Sequence, residues 1–72
     1  MKELRFHRDL YPGTALDAAI NTYASWAEIQ REESKTHWIV KISAGSTAAE
    51  RQIAGELANY ALGLTVREGA PT

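Results

Sequence analysis

The stretch His37 to Ser43 does most to constrain this chain. Trp38, Val40 and Ile42 alternate with His37, Ile39 and Lys41, a two-residue period rich in β-branched and aromatic side chains. Ile39 also gives the second face an apolar group. The strand is therefore central, or its outer face is covered. If it is central, its neighbours come from two other segments. Leu4 and Phe6, and Leu10 after a break, alternate with Glu3, Arg5 and His7, which predicts a first strand over Lys2 to Arg8. Ala27, Ile29 and Arg31 share one face of a short second strand, followed by Glu32, Glu33, Ser34 and Lys35 as polar turn residues.

Helical spacing fills the gaps. Tyr11-Pro12 disfavours helix at Tyr11, and Gly13 permits an unusual backbone angle, so residues 9–13 turn the chain. Thr14 is the expected N-cap, with Asp17 near the exposed amides. Leu16, Ala19, Ile20, Tyr23 and Ala27 then predict a helix from Ala15 to Ser25 or Trp26. Thr47 and Glu50 form the T-x-x-E pattern of a capping box. Ile53, Leu57, Tyr60 and Leu64 follow as one stripe, with Gly63 either ending the helix or lying inside it. The expected fold class is α+β. It is a βαββα domain with a three-stranded antiparallel sheet of order 1-3-2, both helices packed on one face, and the look of a ferredoxin-like or split-βαβ half. It spans residues 1–68, with a frayed tail at 69–72.

Size limits what this fold can do alone. The chain has 72 residues and no cysteine, so no disulfide reinforces a small core. A net charge of −1 gives no electrostatic footprint for nucleic acid. No apolar run approaches the roughly 20 residues that cross a bilayer. MKELRFHRDL has no apolar signal-peptide core, so the expected location is the cytoplasm.

Candidate chemistry is sparse. His7, His37 and Asp9 lie where adjacent strands bring them near each other, but two histidines are few for a zinc site. Exposed strand histidines are the simpler reading. Ser46 lacks a nucleophile's context. Gly45-Ser46-Thr47 has a phosphate loop's position without its lysine, and reads as an ordinary helix cap. The expectation is a protein with no catalytic residues, no metal and no cofactor, and therefore not an enzyme. Asn59 is harder to place, because asparagine is a poor helix former. Either it is exposed on the polar face, or it and Arg67 bind backbone groups of a loop or partner.

Asn59, Leu62, Val66, Arg67 and Glu68 resemble the terminal motif of HxsD, a family of small proteins in the His-Xaa-Ser peptide-modification system. Leu4 and Phe6, Asp9, Tyr11-Pro12 and the alanine-rich helix are similar to the family's opening strand, turn and first helix. Tyr60 and Gly63-Leu64 depart from its pattern. The resemblance implies an accessory protein that docks a peptide or a radical-SAM maturase. Asn59, Tyr60, Arg67, Glu68 and Tyr11 are then the candidate partner-binding residues. The alternative is a self-associating structural domain, a homodimer. Either partner would meet a sheet edge or the open sheet face; the first strand is the preferred edge, although Lys2, Arg5 and Arg8 guard that strand against pairing.

Overall fold

The computed structural model describes residues 1–67. The elements are β1 (Lys2–His7), α1 (Gly13–Tyr23), β2 (Glu28–Glu33), β3 (His37–Ser43) and α2 (Thr47–Arg67). They form an antiparallel sheet of order β1-β3-β2, with two helices. Leu4 faces Val40, Phe6 faces Trp38, and Ile29 faces Ile42, so the apolar positions of all three strands fall on one side. That side carries the core. Phe6, Val40 and Ile42 meet Leu16 and Ala19 of α1, and Ile53, Ala54, Leu57 and Ala61 of α2. The tail at 69–72, like Glu68, lies outside the described residues.

Several expectations are corrected. The strand β1 stops at His7, though Arg8 continues the ladder by donating from its backbone N–H to the Thr36 carbonyl at 2.9 Å. Leu10 is exposed in the turn. Glu32 and Glu33 belong to β2 rather than to the turn. They pair with Ile39 and Trp38, and their carboxylates find cations in Lys41 and Arg8.

The helix α1 begins two residues earlier than expected and ends at Tyr23. Pro12, not Thr14, occupies the N-cap position at φ −64° and ψ 143°, and its carbonyl accepts the Leu16 N–H at 3.2 Å. Gly13 has no left-handed φ; it is the first helical residue. A Cβ there would sit 3.3 Å from Trp38 Cζ2, so the close indole accounts for the glycine.

The helix α2 is not capped as the T-x-x-E pattern implies. Ser46 is the cap, accepting the Ala49 N–H at its Oγ at 3.1 Å. Glu50 turns away from Thr47 and into the fold. It accepts the Ala44 N–H at 3.0 Å and meets the Met1 ammonium at 3.0 Å. These bonds hold its carboxyl below the usual range, the Ala44 bond first. Gly63 lies inside the helix, which continues to Arg67. The buried stripe is rotated from the expected one. Ala61 and Thr65 are buried, while Tyr60 is 40% exposed. Small residues form much of the buried surface of both helices, Ala15 and Ala19 on α1 and Ala54 and Ala61 on α2, so the core stripe of α2 runs through alanines rather than through Tyr60.

Candidate functional site

The sheet offers two outer strands and one face bearing Glu3, Arg5, His7, Glu28, Gln30, Glu32, His37, Ile39, Lys41 and Ser43. Antiparallel pairs alternate between hydrogen-bonded and non-bonded. The Arg8–Thr36 bond makes Leu4–Val40 and Phe6–Trp38 bonded pairs. Glu3, Arg5 and His7 therefore point their N–H and C=O groups away from β3. By the same count from the Ser34–His37 bond, Ile29, Arg31 and Glu33 do so on β2.

The uncovered face is polar and largely self-neutralised. Lys41 Nζ lies 2.7 Å from Glu32 Oε2, and this hydrogen bond and the carboxylate's charge raise the lysine pKa. Arg5 pairs with Glu3 at 3.1 Å along the same strand. Half-buried Ile39 sits between Arg5 and Glu32. At one end His7 and His37 meet edge to face, ring centroids 5.0 Å apart. The Asp9 N–H donates to His7 Nδ1 at 3.3 Å, and His37 Nδ1 lies 2.8 Å from Thr36 Oγ1. Among the described residues, no group of three or more His, Asp or Glu side chains is placed to hold a metal ion.

On the helix side of that end, Trp38 is only partly buried, although it shares the core face with Val40 and Ile42. The guanidiniums of Arg8 and Arg31 lie 4.6 and 4.8 Å from its ring centroid. Arg8 also donates to the Ser34 carbonyl at 2.8 Å, and Arg31 pairs with Asp17 at 3.2 Å. The indole Nε1 donates to the Tyr11 carbonyl at 2.9 Å. A clasp thus ties both outer strands and α1 across β3. Its parts were each visible as residues, but only the strand register brings them together.

The candidate partner-binding residues fall into two places. Tyr11 sits in the turn before α1, its ring edge-on to Phe6 at 5.0 Å. Asn59, Tyr60 and Arg67 are exposed on α2. Tyr60 lies edge-on to Tyr23 at 6.1 Å. No hydrogen bond, ion pair or ring contact joins Tyr11 to the α2 residues among the described residues. Asn59 has the exposed position of the two considered, and Glu68 lies outside the described residues.

No helix among the described residues is long and apolar enough to cross a membrane. No protein-family model matches the chain, and neither a curated protein nor a solved structure matches it.

Proposed function

We propose that this chain is a non-catalytic accessory protein that docks an extended peptide or a radical-SAM maturase, as its resemblance to HxsD implies. The supporting observation is the outer edge of β1. Glu3 and Arg5 offer two full sets of outward backbone groups about 7 Å apart, the spacing that an added strand needs, and His7 adds its N–H, its carbonyl being taken by the Leu10 and Tyr11 amides. On this reading the protein works in the cytoplasm, beside the maturase. Asn59, Tyr60 and Arg67 on α2, with Glu68, would contact the body of a docked protein.

The test is an amide titration of the labelled chain with a His-Xaa-Ser repeat peptide, and separately with the maturase. Shifts and slowed exchange at Glu3, Arg5 and His7 are the expected result. Arg5→Pro removes an outward N–H without touching the β3 ladder. It should leave the fold intact and abolish docking. Binding unchanged by Arg5→Pro would overturn the edge, and no response to either partner would overturn the reading.

A second reading is a homodimer through the same edge. The small, cysteine-free core favours it. Sedimentation at tens of micromolar separates the two, because only self-association raises the mass without a partner.

A further inference from the structure

A groove runs between the end of α1 and the first turns of α2, and strand addition at β1 leaves it unused. Its volume is about 540 Å³, and its lining is Tyr23, Trp26, Ala49, Gln52, Ile53 and Glu56. That volume is within the range of small-molecule and side-chain sites. Ile53 is buried and presents an apolar surface to the groove, with Ala49 beside it.

Two aromatic rings belong to the lining. Tyr23 is held edge-on by Tyr60. Trp26 follows the end of α1, where its N–H donates to the Tyr23 carbonyl at 3.0 Å. Its side chain is nonetheless 71% exposed, the largest ring left in solvent. Glu56 supplies the charge. Glu3, Glu32, Glu33 and Glu50 pair with cations, while Glu28 and Glu56 have no ion pair among the described residues, and of these two Glu56 lines the groove.

Aromatic faces attract cations, a carboxylate adds a charge-assisted hydrogen bond, and an apolar surface suits the methylenes of a long basic side chain. An anion would be repelled by Glu56 and by the ring faces. A neutral apolar group would leave the carboxylate without a partner. We propose that the groove receives a basic alkyl side chain, lysine or arginine, of a peptide or protein partner. This goes beyond strand addition and uses different residues, so either can fail alone.

The experiment uses the full chain, labelled with nitrogen-15, and follows the Trp26 indole N–H. The Trp38 indole, bonded to Tyr11, is the internal control. Probes are the Nα-acetyl methylamides of lysine, arginine, norleucine and glutamate. Lysine or arginine should produce a saturable Trp26 shift, and norleucine and glutamate should bind more weakly. The tighter of the two basic probes identifies the cation. Glu56→Gln should weaken binding by about fivefold. Trp26→Ala, followed through the Gln52 and Glu56 amides, should abolish it. Both positions are exposed, and an unchanged Tm confirms that each variant folds. Equal binding of norleucine and lysine would overturn the proposal. So would unchanged affinity in Glu56→Gln, or no saturation below about 50 mM.

Discussion

Two residues carry expectations that single substitutions can check. Gly13 is glycine because of its neighbour. A Cβ placed 3.3 Å from Trp38 Cζ2 requires the indole to give by a few tenths of an ångström, and the two methyls of a valine crowd it further. Gly13→Val should lower stability by about 1–3 kcal/mol, the cost of overpacking, read as a drop in Tm. Gly55→Ala should do the opposite, because nothing lies within 4 Å of that position. A gain of about 0.5–1 kcal/mol is expected there. Glu50 governs acid stability. Its folded pKa is lowered by the Ala44 N–H and the Met1 ammonium, so its contribution is complete above its ordinary value of 4.5. That contribution disappears as pH falls through the lowered value. Melting Glu50→Gln beside the parent from pH 7 downward should show the two curves converging in acid. A constant gap would mean that the charge is not what Glu50 contributes.

Among the elements, β3 was the most legible. Its bounds follow from alternation and hold at both ends. The strand order was legible only in part, since apolar groups on both faces of β3 fit a central strand or a covered outer face, and the structure has the central one. The helix termini and faces were harder to read. A T-x-x-E pattern names a cap only if the threonine is the last non-helical residue, and here Ser46 holds that place. Ser46→Ala should therefore cost about 1 kcal/mol and Thr47→Ala much less, as measured by denaturant midpoint. The rotated stripe of α2 depends on α1, because Ala54 and Ala61 count as core only once a second helix approaches them. The same holds for the groove. Tyr23 and Trp26 end one helix, Glu56 lies on another, and no sequence spacing joins them.

At the scale of the whole molecule, one helical layer lies on one sheet, and the thinnest extent is 16 Å. The middle of such a slab is its best protected part. Hydrogen exchange should be slowest at Val40 and Ile42, both fully buried on the central strand, and faster at outward amides such as Arg5 and Arg31. Comparable rates across all three strands would show that the sheet opens as one unit. The clasp at Trp38 makes the chain's own light emission informative. One indole stands in solvent at Trp26, while the other carries against its ring both Arg8, the residue after β1, and Arg31 of β2. Caesium, a cationic quencher, can silence the first selectively, since Glu56 draws it to Trp26 and the two guanidiniums keep it from Trp38. The fluorescence that remains would come from the second, and would redden when either margin of the sheet pulls free.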